Sequence, residues 1–325
     1  MVCTVARTLF ARRILVCASL VFACSAQSIA TLKPAADTET SAFPRADLRI
    51  DVPLVMIPVH VTNQLGASII DLKPDSFRLF EDRVEQKITK FVSEDAPASV
   101  GLLFDLSGSM KDKMQKASDS AMEILKTANV DDEFFLIEFN DRPKLVVPFT
   151  RDIDSIQEEL SRARPHGQTS LLDAIHLAVN QMKNARYLRK ALIIVSDGGD
   201  NHSRHSEAEI KEDMFEADVQ VYAMGIFDED GAHTRTREER EGPRLLSDLA
   251  EKTGGHHFPV RQLSELPRVC ARIAEELRNQ YLLGYFSTNP QRDGKFRHVR
   301  VVVDPEPGSP LVRVHNRSGY YAPSE

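Results

Sequence analysis

The sequence predicts an α/β fold: a doubly wound, mostly parallel sheet carrying a small β-rich second domain. Three observations predict it. Between residues 98 and 280, short apolar runs alternate with stretches whose apolar residues recur every three or four positions. The runs at 100–104 and 191–195 are apolar almost throughout, as strands covered on both faces are. On either side, at 46–97 and 281–322, the apolar period shortens toward two and Pro and Gly punctuate it, the pattern of antiparallel strands.

Residues 1–26 read as a secretory signal. Arg7, Arg12 and Arg13 precede an apolar stretch at 14–23 that is short for a bilayer span, and Cys24, Ser25 and Ala26 follow it as small residues. The same segment also admits an uncleaved anchor or a lipid on Cys24, the two routes by which this chain would reach a membrane. The expected location is therefore outside the cytoplasm, periplasmic or secreted. Residues 27–45 are polar with two prolines and read as a linker.

In the segment 46–97, Leu48, Ile50 and Val52 alternate, then Val55, Ile57, Val59 and Val61, with Pro53 and Pro58 suggesting a sheet edge. Asn63 to Gly66 reads as a turn, 71–77 as a helical turn or loop, and 78–80 and 88–92 as strands joined through Glu81-Asp82. In 98–280 the strands are expected at 100–104, 133–139, 144–149, 191–195, 219–226 and 256–260. The helices between them are expected around Met114 to Ala128, 153–163, 171–182, 208–217 and 245–252. A last helix runs to Leu277, with Ser264 as its N-cap and Pro267 in its first turn. In 281–322 further strands are expected at 281–286, 299–303, 311–314 and 320–321. Neither β flank is large enough for a core of its own, so 46–97 and 281–322 are expected to pack together around the inserted α/β domain.

Composition excludes some classes of partner. The 325 residues are 42% hydrophobic and 27% charged, with a formal net charge of −7. Removing the leader takes away three arginines and no acids, leaving the remainder more acidic still. Such a surface does not suit nucleic acid, which is held by Lys and Arg. Of the four cysteines only Cys270 lies beyond the leader, which leaves no intrachain disulfide and reads as a core thiol.

The chemistry gathers in three short segments. Asp105-Leu106-Ser107-Gly108-Ser109 directly follows the strand at 100–104. Thr169 stands just before a helix, and Ser196-Asp197-Gly198 directly follows the strand at 191–195. In an open α/β sheet the carboxyl ends of strands converge on one rim, where ligands bind. Asp105, Ser107, Ser109, Thr169 and Asp197 form an all-oxygen set suited to a hard divalent cation, Mg2+ first and Ca2+ or Mn2+ as alternatives. Without His or Cys among them, zinc is not indicated. Two carboxylates leave a dication without a strong excess of negative charge. Such an ion stays electrophilic and can take one more oxygen, as from a carboxylate of a partner protein.

These three segments, in this order and spacing, resemble the metal-ion-dependent adhesion site of von Willebrand factor A domains, whose Rossmann-like fold agrees with the alternation over 98–280. The resemblance implies that Ser107, Ser109 and Thr169 contact the ion directly and that Asp105 and Asp197 act mainly through water. It also implies metal-dependent protein binding rather than catalysis. The flanks are similar to a bacterial group of von Willebrand factor A-related proteins: Val59-x-Val61-Thr62-Asn63, Phe77-x-Leu79-x-Glu81-Asp82, Tyr281-x-Leu283-Gly284-Tyr285 and Gly319-Tyr320-Tyr321-Ala322-Pro323 carry that likeness.

The expected function is an exported, cation-dependent protein-binding or adhesion module, and not an enzyme. One alternative is an envelope structural or assembly factor whose metal site is dispensable. A remoter one is a metal-dependent phosphatase, which would need an acid/base carboxylate where this chain has Ser107. The Gly-x-Ser-x-Gly elbow of a serine hydrolase is missing. The charged stretch 228–242 reads as a solvated loop above the rim, with Asp228, Asp230 and His233 as a weak second cation set, and His256-His257 reads as the start of a strand.

Overall fold

The computed structural model describes residues 54–93, 95–227, 237–304 and 311–324. The expected leader, the linker, residues 46–53 and the set Asp228, Asp230 and His233 lie outside the described residues.

Six strands make the central sheet: β5 (Ala98–Asp105), β6 (Glu133–Phe139), β7 (Pro143–Thr150), β8 (Arg189–Ser196), β9 (Gln220–Ile226) and β10 (His257–Val260). Their order is β10-β9-β8-β5-β6-β7, parallel throughout except for β7, which turns back antiparallel on β6. Among the described residues six helices cover it: α1 (Met114–Lys126), α2 (Ile153–Arg162), α3 (Leu171–Met182), α4 (Glu207–Ala217), α5 (Arg237–Thr253) and α6 (Leu266–Arg278).

Alternation along the strands builds the two layers, since successive side chains point to opposite faces. Val100, Leu102, Phe104, Ile193, Val195, Tyr222 and Met224 face one way and meet α1, α2 and α6. Leu103, Phe135, Ile137, Leu192, Ile194, Val221 and Ala223 face the other and meet α3, α4 and α5. Burial on both faces is why these strands read as unbroken apolar runs. Cys270 is buried in the first layer with its Sγ 3.9 Å from Met224 Sδ, and burial pushes its thiol up to about 12. It is an inert core group.

Among the described residues, eight further strands form two antiparallel sheets: β1 (Leu54–Asn63), β2 (Phe77–Glu81), β3 (Val84–Gln86), β4 (Ile88–Val92), β11 (Tyr281–Phe286), β12 (Phe296–Val303), β13 (Val312–Asn316) and β14 (Gly319–Tyr321). One sheet has the order β13-β1-β11-β4 and the other β14-β12-β2-β3. Strands from before and after the α/β region thus pair within both sheets. Val55, Ile57, Val59, Val61, Leu79, Leu283, Tyr285, Val299 and Val301 fill one core between them.

Several local expectations are corrected. Pro58 does not mark an edge strand, because β1 lies between β11 and β13. Its missing N–H is tolerated because β13 pairs only with Val59–Asn63 and leaves that side of β1 open at Pro58. The strands expected at 78–80 and 88–92 are not joined directly through Glu81-Asp82, because a further strand, β3, lies between them. Asp82 and Arg83 both adopt positive φ, 46° and 72°, the twist of a two-residue hairpin turn, and return the chain into β3. β4 then joins the other sheet. Ser264 is not an N-cap: residues 263–265 form a 3-10 turn closed by reciprocal Gln262 and Glu265 bonds, and α6 starts at Leu266. Part of the loop expected at 228–242 is helical, since α5 begins at Arg237.

Candidate metal centre

β5 and β8 are parallel neighbours in register, Phe104 opposite Val195. The next residue of each strand is therefore a neighbour too, which places Asp105 beside Ser196 at the carboxyl rim. The Ser196 hydroxyl donates to Asp105 Oδ2 at 2.6 Å, and the Ser107 N–H donates to Asp105 Oδ1 at 2.8 Å. Ser196 Oγ also accepts from the Gly198 N–H at 2.9 Å, which holds the turn carrying Asp197. The Ser107 and Ser109 hydroxyls stand 3.0 Å apart in the loop after β5.

The loop before α3 is fastened to both neighbours. Gly108 N–H donates to the Gly167 carbonyl at 3.1 Å, and His166 N–H to the Leu106 carbonyl at 2.7 Å. Thr169 N–H donates to Asn201 Oδ1 at 2.9 Å, and the Asn201 N–H returns to the Thr169 carbonyl at 3.1 Å. Three segments distant in sequence are thereby tied pairwise on one rim. Asp105, Ser107, Thr169 and Asp197 are all buried there, while Ser109 is exposed at its mouth.

Electrostatics mark the place as short of positive charge. Burial, and after it the Asp197 carboxylate, push Asp105 up to about 7, against the hydrogen bonds from Ser196 and Ser107 that pull it down. The Lys113 ammonium stands 3.8 Å from Asp197 Oδ2 and also donates to the Ile226 carbonyl at 3.3 Å.

The family model described as the von Willebrand factor type A domain matches residues 100–199, the stretch that holds all five candidate residues. The chain carries a von Willebrand factor type A domain. No curated protein matches the sequence. Among solved structures, the chain is similar to the conserved hypothetical protein BatB from Bacteroides thetaiotaomicron, at 19% identity and a TM-score of 0.44, over 55% of this chain and 98% of that one. It is similar to a von Willebrand factor type A protein from Catenulispora acidiphila at 11% identity and a TM-score of 0.49, over 83% and 72% of the two chains. A third is the vWF domain of the type V pili tip protein Mfa5 from Porphyromonas gingivalis, at 13% identity and 0.46, over 56% and 95%.

Within this von Willebrand factor type A domain the side chains fit a hard divalent cation. The donor set is all oxygen, two of its members are carboxylates, and the buried Asp105 carboxylate lies under the like charge of Asp197. The same rim holds residues that the motif did not single out as part of the site. Ser196 was visible only as the residue before Asp197, and its role depends on β5 and β8 being neighbours. Asp200 accepts from the Leu171 N–H at 2.9 Å and from the Ser203 hydroxyl at 2.6 Å, and so fixes the start of α3 just after Thr169. Asp141 Oδ1 accepts from the Gln168 N–H at 2.9 Å. The run Asp197-Gly198-Gly199-Asp200-Asn201 was the available signal for Asp200 and Asn201, since such residues bond back to nearby backbone.

Proposed function

We propose that this chain is an exported protein-binding module whose von Willebrand factor type A domain engages its partner through a divalent cation, Mg2+ with Ca2+ or Mn2+ as substitutes. Asp105, Ser107, Ser109, Thr169 and Asp197 would hold the ion. The observation that carries the reading is the burial of Asp105 beside Asp197, with neutral hydroxyls around them. When bound, the cation supplies an electrophilic point open to a carboxylate oxygen from an Asp or Glu of the partner. The chain's own residues do the rest: Ser196 and the Ser107 N–H orient Asp105, Asn201 sets the loop of Thr169, and Gly198 lets the Asp197 turn close.

The test is capture of partners from the native envelope fraction, with and without chelator, by the wild type and by Asp105→Ala. Cation-dependent capture that Asp105→Ala abolishes supports the reading. Capture unchanged by both removes it. The Lys113 ammonium beside Asp197 favours a second reading, in which the charge is balanced internally and the protein is an envelope structural or assembly factor with a dispensable metal site. Under that reading partner capture survives both chelator and Asp105→Ala.

A further inference from the structure

A second cluster of ligand-type side chains lies away from the rim. His60 on β1, His256 just before β10 and Glu276 on α6 each bring one donor atom within 4.8 Å of the other two. His256 Nδ1 is 2.5 Å from Glu276 Oε2, and His60 Nδ1 is 3.8 Å from the same oxygen. The ring of His315, on β13, stands 4.1 Å from that of His256, centroid to centroid. The cluster joins the sheet of β1 and β13 to the helical layer of the α/β domain. Along β1, Val59 and Val61 turn to the β core, so His60 between them points the opposite way.

One feature separates this cluster from an ordinary hydrogen-bonded pair. His60 is 1% exposed, yet its Nδ1 has no hydrogen-bond partner among the described residues. A buried ring nitrogen left in that state is costly and calls for an explanation. Its other nitrogen is in place: His60 Nε2 is 3.0 Å from Ser68 Oγ. With Nε2 protonated and donating to that hydroxyl, Nδ1 carries a lone pair aimed at Glu276. Arg272 Nε donates to the second carboxylate oxygen, Oε1, at 3.1 Å and leaves Oε2 for the cluster. Metal-binding His and carboxylate groups are commonly oriented in this manner by outer partners.

We infer that His60, His256 and Glu276 form a second cation site, selective for a borderline transition-metal dication of the zinc class, that clamps the β sheets to the α/β domain. The donors decide the class: two imidazoles and one carboxylate suit Zn2+, whereas the oxygen set at the rim suits Mg2+. Ligands about 2.1 Å from a tetrahedral ion stand roughly 3.4 Å apart. Loading therefore separates His256 from Glu276 and draws His60 inward, shifts of about an ångström that side-chain rotation can supply. His315 is placed to complete the set or to shield it. Glu275, whose Oε1 accepts from the Ser68 N–H at 3.2 Å, adds a second negative charge against Arg272. The site is independent of the rim.

The experiment uses the full chain, stripped with chelator and then titrated with Zn2+ alone, read by calorimetry and by metal content after gel filtration. The wild type and Asp105→Ala should each retain one Zn2+ per chain. Co2+ in its place should give the visible absorption of a tetrahedral site in both. His60→Gln and His256→Gln should each weaken Zn2+ binding by at least about 100-fold, since losing even an outer partner of a ligand costs about 10–100-fold. Because the His256 side chain is 23% exposed, His256→Gln keeps the test available if the substitution at buried His60 prevents folding. Failure of the wild type to retain Zn2+ overturns the inference. So does retention that His256→Gln leaves unchanged, or that Asp105→Ala alone removes.

Discussion

The Ser196 hydroxyl bridges the two loops of the rim, donating to Asp105 Oδ2 at 2.6 Å and accepting from the Gly198 N–H at 2.9 Å. Both bonds are buried. Ser196→Ala therefore leaves one carboxylate oxygen and one backbone N–H without partners while replacing none of the proposed ligands. Unsatisfied buried groups cost about 1–3 kcal/mol each, more when charged. Loss of about 2–4 kcal/mol of unfolding free energy is expected, measured as a lower denaturant midpoint at unchanged slope. Mg2+ uptake should weaken as well, since Asp105 loses its orientation. A midpoint within error of the wild type would show the bridge to be unimportant.

Gly198 and Gly242 hold the same rim from the other side. Gly198 has φ +76°, and a Cβ there would meet the Gly242 carbonyl oxygen at 2.8 Å; a Cβ on Gly242 would meet the Asp197 carbonyl oxygen at 2.7 Å. Both obstacles are backbone and cannot rotate away. Gly198→Ala thus combines an unfavourable backbone conformation, about 1–2 kcal/mol, with a collision between the Asp197 turn and α5. Gly242→Ala carries only the collision. Both should lower thermal stability, Gly198→Ala by more, and both should weaken cation uptake although neither changes a ligand. Equal melting temperatures for wild type and Gly198→Ala would contradict this arrangement.

The parts of the fold legible in the sequence were those written in a period. The strand β8 shows as an apolar run because both faces are covered, and α3 shows in the spacing of Leu171, Leu172, Ile175, Val179 and Met182, all buried. What was not legible depended on neighbours or on unusual backbone. Arg83 in a left-handed conformation gives no compositional signal, so the short strand after it was missed. Pro58 signals a missing donor, but whether that donor matters depends on where β13 stops. At the rim, Asp105, Ser107 and Ser109 could be grouped because they share one loop. Ser196 and Asn201 act across strands and loops, and only the parallel register shows which groups they reach. His256 offered no ligand signal beside His257, because its partners His60 and Glu276 come from a different sheet and a different helix.

Glu138 gives a stability effect whose size depends on pH. It lies on β6 with Oε1 buried and without a hydrogen-bond partner among the described residues. Burial, and then the Glu159 carboxylate, raise its carboxyl from 4.5 to about 6, with Lys144 opposing. A carboxyl raised on folding contributes stability that is present below its unfolded value and lost as pH rises through the folded value. Between about pH 4.5 and 6 the native protein should therefore lose stability as this group ionises. Glu138→Gln removes that loss. The variant should be more stable than wild type by about 1 kcal/mol at pH 8 and lose the advantage near pH 4, read by denaturant titrations at both values. An advantage independent of pH would assign the effect to packing instead.

Asp105→Asn separates what the rim needs for folding from what it needs for the cation. The substitution keeps size and shape and removes one of two neighbouring carboxylates. Asp105 stands at about 7 instead of 3.8 because burial and Asp197 both disfavour its charge. In chelator its ionisation thus lowers stability as pH rises through about 7. Asp105→Asn should melt higher than wild type in chelator at pH 8, and the difference should shrink by pH 5. Added Mg2+ should reverse the order at pH 8. An ion that binds only the folded wild type raises its melting temperature with concentration, while the amide variant, lacking one anionic group, gains little. The crossing of the two melting curves is the expected result. Wild type and variant responding equally to Mg2+ would mean that Asp105 is not part of a cation site, and that its burial beside Asp197 serves only to join β5 and β8.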